Sequence, residues 1–461
     1  MDSLLIEGNR AYQSGDLGRA VDCYQEAALR VPFMQRFIQP NLDRARAGFK
    51  AAGCLGAFEG VERLHDWQAH GIHRLAGCTP AEDSRATVVL VGHVSGYPAF
   101  GAERSLIDMA RAAWANGFCN VQVCLPSFDA GYVDSLRPYV SSIFVHDYGW
   151  WEADGERSAA AAARFALIFR RVRARLVHVN TIMPWDAVLA ARASAVPVMV
   201  HAREILQQDP YLLARLGRDA DQLVERVVAE VDWLVCNSAA TQQAFGSPGH
   251  SVVLPNALDV DAFAGRVTEL EQAKPDARGK LVVGLISSNV EKKGVADFFE
   301  LAAAAVARNW PLRFELIGPA NEYVEGLLAR YQSLADSGLY RVGYLPDPAE
   351  AVARLDLVCN FSHFAESFGR TVLEGMAAGR AALVYDHGAL PELLDPGVTG
   401  WVLPYRRPLA ALEVLERLCT EPAQCRAAGA SAQARARALF DLPGYERALA
   451  ALYQRAMKIS E

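Results

Sequence analysis

The chain has 461 residues, 52% of them hydrophobic and 21% charged, which suits a large packed core and argues against disorder. Its length corresponds to about three domains at ~150 residues each. With 46 Lys and Arg against 53 Asp and Glu, the net charge of -7 gives no global attraction to nucleic acid, and no nucleic-acid partner is expected.

Residues Met1 to Tyr12 carry acids and no apolar run. Stretches such as Thr87 to Val91 and Ala159 to Phe169 are too short or too interrupted to span a bilayer. A cytoplasmic protein without a secretory signal is therefore expected. Gly8, Ala11, Gly15, Ala20, Tyr24, Ala27 and Pro32 fall on two helical patterns divided by a Gly15-Asp16 turn. Small residues let antiparallel helices approach, and the pattern resembles one tetratricopeptide repeat within a helical region over 1–50. One such unit cannot bury both faces, so it should dock onto the following domain, another copy of the chain or a protein partner.

Residues 51–84 read as a helical connector. From Thr87, apolar β-branched runs alternate with amphipathic stretches, the pattern of a parallel sheet covered on both faces. Strands are expected at Thr87 to Val91, Asn120 to Leu125, Ile143 to His146, Leu176 to Val179, Val196 to His201 and Trp233 to Cys236, making a domain over 85–269. Asn256 to Phe263 reads as loop, and 270–280, with Pro275 and Gly279, as an interdomain linker. A second alternation fills 281–435, with strands at Lys280 to Ser287, Leu312 to Gly318, Tyr340 to Tyr344, Leu357 to Phe361, Ala381 to Tyr385 and Trp401 to Leu403. Helices are expected at Val295 to Arg308, Phe368 to Ala378 and, within 436–461, Asp441 to Lys458. Two consecutive doubly wound, Rossmann-like α/β domains imply a ligand cleft between them.

The segment with the most chemistry is NFSHFAESFGRTVLEGMAAGRAAL, from Asn360 to Leu383. A strand ends near Phe361 and a helix starts near Phe368, its buried face marked by Val372, Leu373, Met376 and Ala377. The free N–H groups and dipole of that helix start suit a diphosphate. Glu366 lies just ahead of the helix and Glu374 about two turns in. A carboxylate only accepts, so each can hold two hydroxyls of a sugar or ribose. No H-E-x-x-H, paired Cys or D-x-D motif stands in a convincing setting, and no phosphate-loop motif is present, so no metal or other cofactor is expected. The nine Cys read as core thiols of a reducing compartment.

ESFGRTVLE, with its strand–loop–helix setting, resembles the retaining glycosyltransferases of the GT-B fold, family four. The resemblance runs over residues 87–458. It implies two Rossmann-like domains facing a cleft, a nucleotide-sugar as co-substrate, and a glycan or lipid-linked acceptor. Glu366 would touch the transferred sugar, Glu374 the ribose, and the backbone of Ser367, Phe368 and Gly369 the phosphates. VGHVSGYPAFGAERSLIDMA matches the first strand, loop and helix, with Gly101 at the donor; the second glycine usual there is Phe100. His201, closing VPVMVHAREI, would sit at the reacting bond, with Arg203 and Glu204 beside it. In GLISSNVEKKGVADF, Lys293 fits the lysine on the diphosphate. Ser287 or Ser288 stands where an arginine is usual, and Arg370 or Arg203 is the expected substitute. Asn237, Ser238 and Asn256 read as cap and turn residues. His387, Gly388 and Glu392 would border the donor, with turn formation the alternative for Gly388 and Pro391.

Cell-surface polysaccharide synthesis is the family's common setting. The arginines from Arg164 to Arg175 read as a solvated helix face, with peripheral contact to an anionic inner membrane face as the rival. Two further readings are a protein glycosyltransferase recruiting its polypeptide through the helical repeat, and a sugar-binding scaffold with weak turnover.

Overall fold

The computed structural model describes residues 3–30, 69–96, 101–151, 155–273, 279–335 and 338–458, with Ile38, Asn41, Leu42, Ala45, Trp67 and Ala99. It divides into two compact units, residues 1–200 with 450–461, and residues 201–449.

The first unit opens with helices Ser3–Gln13 and Leu17–Arg30, joined through Gly15 at φ +82°. A Cβ on Gly8 would lie 2.8 Å from the Tyr24 ring, and the Tyr24 hydroxyl donates to Asn9 Oδ1 at 2.6 Å. Ala11, Ala20 and Ala27 are buried between the helices. Small residues thus bring the pair together, as the sequence pattern demands. The second helix is tied to the rest of its unit by Glu26, which is buried and paired with Arg30 and Arg137. Pro32 lies outside the described residues.

Six strands follow: β1 His73–Ala76, β2 Ala86–Val91, β3 Cys119–Leu125, β4 Ser142–Val145, β5 Ala174–Val179 and β6 Val198–Ala202, in the order β1-β4-β3-β2-β5-β6. Only β1 runs antiparallel. Val88 to Val91 are completely buried, which is the reason the central strand is apolar on both faces. The last turns of the helix Leu442–Met457 belong to this unit, where Tyr453 OH lies 2.8 Å from His178 Nδ1.

In the second unit, β7 Trp233–Cys236 pairs in parallel with β8 Ser251–Val253. A six-stranded parallel sheet is ordered β11-β10-β9-β12-β13-β14, from β9 Leu281–Ile286, β10 Leu312–Ile317, β11 Leu339–Val342, β12 Leu357–Asn360, β13 Ala381–Tyr385 and β14 Gly400–Leu403. Alternate residues of one strand enter different apolar clusters: Leu383 and Tyr385 join Phe298 and Phe314, while Ala382 and Val384 join Val372 and Met376. That period of two covers the sheet on both faces.

Two short strands, β1 and β8, were not legible as strands, because four and three residues are too few to establish a period. The region read as loop to Phe263 contains a helix start: Val260–Ala273 is helical and runs into the segment read as linker. Residues 274–278 lie outside the described residues.

Candidate active site

The second unit assembles most of the residues singled out in the sequence. After β12 the chain runs from Phe361 to Gly369 and then into the helix Arg370–Ala377. A second loop, after β9, is pressed against it. Gly294 has φ +70°, and a Cβ there would lie 1.8 Å from the Phe361 carbonyl oxygen, so only glycine permits the approach. The His363 N–H donates to the Lys292 carbonyl at 2.8 Å. This contact puts Lys293 Nζ 2.8 Å from Glu366 Oε1. The Ser362 hydroxyl lies 2.7 Å from the same oxygen, and the Ser362 N–H donates to Asn360 Oδ1 at 3.1 Å.

Burial opposes ionisation of Glu366, but the Lys293 ammonium, the Ser362 hydroxyl and the Lys292 charge outweigh it and hold the carboxyl below its usual range. Glu366 keeps 15% of its side-chain surface exposed and Lys293 25%, so the pair is open to a ligand. The neighbouring Lys292 is taken by Asp209, whose two oxygens lie 2.9 and 3.3 Å from Nζ. Adjacent lysines thus have separate duties.

The helix begins at Arg370, two residues later than its apolar spacing suggests. Gly369 turns the chain with φ +100°, a conformation open to glycine, and a Cβ there would lie 2.7 Å from Leu390. Phe368 points into the core, its ring 5.7 Å from Phe440, so only its backbone is offered to the site. Glu374 is 1% exposed, and Arg370 Nε lies 3.5 Å from its Oε1. Gly388, at φ +58°, backs the loop: a Cβ there would lie 2.5 Å from the Glu366 carbonyl, and the Ala389 N–H donates to that carbonyl at 2.8 Å.

His201 is buried at the end of β6. Its Nδ1 lies 3.2 Å from an Arg203 guanidinium nitrogen. Guanidinium only donates, so Nδ1 accepts and the neutral ring carries its proton on Nε2. Arg203 also donates to Asn256 Oδ1, and its own N–H donates to Glu204 Oε2 at 2.9 Å. The strand end reaches the Glu366 segment through Asn237, whose N–H donates to the Ala202 carbonyl at 3.4 Å and whose side-chain amide donates to Ser367 Oγ at 3.0 Å.

Several expectations change. Asn237 and Asn256 make long-range bonds and are not caps, whereas Ser238 does cap the helix Ala239–Ala244 through the Thr241 N–H. Glu392 accepts from the Ala239 and Ala240 N–H groups at 2.9 and 2.6 Å, so its oxygens serve that helix start. His387 stacks on Tyr405 at 4.1 Å. Ser287 shapes its own loop by bonding Asn289, and Ser288 is exposed. Gly101 belongs to the first unit, where it opens the helix Gly101–Ala115 with open space at its Cα. Phe100 lies outside the described residues.

Residues 100–262 match the model of Glycosyltransferase Family 4, and residues 280–421 that of Glycosyl transferases group 1. The fold matches HepE of Anabaena in complex with UDP and glucose, with a TM-score of 0.65 and 21% identity, over 80% of this chain and 100% of that one. It also matches sucrose-phosphate synthase of Thermosynechococcus elongatus, with a TM-score of 0.66 and 15% identity, over 82% and 100%. The chain has the GT-B fold. Curated relatives are the phosphatidyl-myo-inositol mannosyltransferases of Mycobacterium tuberculosis and Mycobacterium bovis, 28% identical over 172 residues. The match spans 36% of this chain and 42% of theirs.

Sequence reasoning gave three residues of this site no part in it. Ser362 reaches Glu366 from four positions away, Asp209 takes Lys292 from 83, and Asn237 finds Ser367 from 130. Ser362 alone was discoverable, as the hydroxyl one short loop ahead of the acid.

Proposed function

We propose that this GT-B glycosyltransferase moves a sugar from a nucleotide-sugar donor to a hydroxyl acceptor, with retention at the anomeric carbon and without a metal ion. The Lys293–Glu366 pair carries the reading, because a partly accessible lysine beside an ionised carboxylate offers a cation for phosphate and an acceptor for sugar hydroxyls. On donor binding, Lys293 exchanges Glu366 for the diphosphate, and Glu366 accepts from the hydroxyls of the transferred sugar. The N–H groups from Ser367 to Arg370 face the phosphates, and Glu374 takes the ribose. His201 donates from Nε2 to the sugar at the reacting centre. The bond from the anomeric carbon to the phosphate oxygen breaks as the acceptor oxygen bonds the same face. The departing phosphate takes the acceptor's proton, so no carboxylate becomes covalently linked.

A nucleotide-sugar donor is supported by the UDP and glucose of HepE. A lipid-linked acceptor is supported by the mannosyltransferase relatives, whose name pairs a sugar with a lipid. Among the described residues, no helix is long and apolar enough to cross a membrane. The peripheral reading of the Arg164–Arg175 stretch loses Arg164, whose Nε donates to the His70 carbonyl at 3.0 Å.

A thermal-shift screen of UDP-, GDP-, ADP- and CMP-sugars tests the donor class, since a ligand stabilises according to its saturation. Stabilisation by none of them overturns the reading. Glu374→Ala should raise the donor KM about tenfold or more, and unchanged kinetics would remove Glu374 from the site. Donor binding with no sugar release would favour the scaffold alternative.

A further inference from the structure

The first unit holds a cavity of about 1060 Å3 that the transferase reading leaves unused. It lies along the early residues of β2, β3, β4 and β5, among them Thr87, Asn120, Ser142 and Arg175. Doubly wound sheets bind their main ligands at the opposite, carboxyl ends.

The lining is wrong for a covered sheet face. Gln122 of β3 stands in register with Ser142 of β4, two residues from Asn120, so polar groups occupy one face of interior strands. Asn120 is used up, accepting from the Glu82 N–H at 2.9 Å and donating to the Glu82 carbonyl at 2.8 Å. Gln122 Oε1 and Ser141 Oγ have no hydrogen-bond partner among the described residues, although the side chains are only 5% and 8% exposed. A buried acceptor and a buried hydroxyl left this way call for a ligand that supplies hydroxyls and oxygens.

The charges specify that ligand further. Arg74, Arg85, Arg171, Arg173 and Arg175 line the cavity against Glu82 and Asp83, an excess of three positive charges. Glu82 already pairs with Arg85 at 2.8 Å. Arg173 sits at φ +52°, an unusual backbone for a long side chain. Arg175 is the extra residue of a bulge, since Thr87 pairs Ala174 and Val88 pairs Leu176. Neither Arg173 nor Arg175 has a carboxylate partner among the described residues. Trp67 and Phe144 give the lining an apolar part, their ring centroids 5.0 Å apart, and the Arg171 guanidinium lies 4.8 Å above Trp67.

We propose that this cavity is a second binding site, for a phosphorylated polyol or sugar. The guanidiniums take the phosphate, whose oxygens match their forked donors. Gln122 Oε1 accepts from a hydroxyl, the Ser141 hydroxyl donates, and the Trp67 and Phe144 rings meet the carbon face. The phosphate belongs either to a soluble molecule or to a lipid headgroup, and the two sources separate by experiment.

Titration calorimetry of the full chain with glycerol 3-phosphate, beside flotation with phosphatidylcholine vesicles with or without phosphatidylglycerol, tests the site. The double variant Arg173→Glu/Arg175→Glu changes exposed side chains and should fold; Gln122→Leu is the buried test, checked by an unchanged UDP-glucose thermal shift. Saturable binding of the soluble probe, weakened about tenfold or more by both variants, supports a soluble ligand. Binding confined to phosphatidylglycerol vesicles and lost in both variants supports a headgroup. No saturable binding to either, or affinity that survives in the variants, overturns the proposal.

Discussion

Replacing Lys293 by Met keeps most of the stem and removes the ammonium that lies 2.8 Å from Glu366. Both partners are largely shielded, at 25% and 15% exposure. The loss should fall between that of a surface pair and that of a fully buried one, at roughly 2 kcal/mol. The pH dependence carries the sharper test. Glu366 is held below its usual range in the folded protein, so its contribution is complete above the unfolded value of about 4.3 and fades as pH falls through the lower folded value. Without Lys293, burial meets less opposition and the folded value rises. The variant's deficit should therefore be largest near neutrality and shrink as pH falls through the variant's raised folded value towards the lower value of the parent. Urea unfolding from pH 7 to pH 3 measures it, and kcat/KM for sugar transfer should drop by about 10²-fold or more in the same variant. A deficit that stays constant with pH, or an unchanged kcat/KM, would refute the coupling of Lys293 to Glu366.

His201→Ala should lower kcat by roughly 10²-fold with donor KM within about twofold, since its Nε2 donation is assigned to the reacting centre; a change confined to KM would move it out of that role. Gly388→Ala places a Cβ 2.5 Å from the Glu366 carbonyl at φ +58°, so stability should fall by about 1–3 kcal/mol in denaturant titration and kcat should fall with it. Glu392→Ala removes the acceptors of two helix N–H groups and should cost about 0.5–1 kcal/mol while kcat/KM stays level. A large loss of activity without loss of stability would return Glu392 to the donor.

Local signals carried much of the plan. Strands such as Trp233–Cys236 and Ala381–Tyr385 match their expected bounds, because hydrophobic period and β-branching are written residue by residue. Gly369 was legible as part of the loop ahead of a helix, and the helix itself as an amphipathic run. By contrast, the helix start moved from Phe368 to Arg370 because Phe368 is drawn into the core against Phe440, a partner 72 positions away.

The same division holds at the site. The chain by itself determined which residues have the chemistry: two acids with seven residues between them, a lysine before a glycine, a histidine closing a strand. Which of them meet was decided by tertiary structure. Lys293 reaches Glu366 because Gly294 admits the Phe361 carbonyl, a contact no spacing encodes. Arg370 faces Glu374, and Asp209 takes Lys292, leaving Lys293 for the acid. Periodicity reports a residue's own burial, whereas an ion pair depends on two loops arriving together, and only the folded chain brings them there.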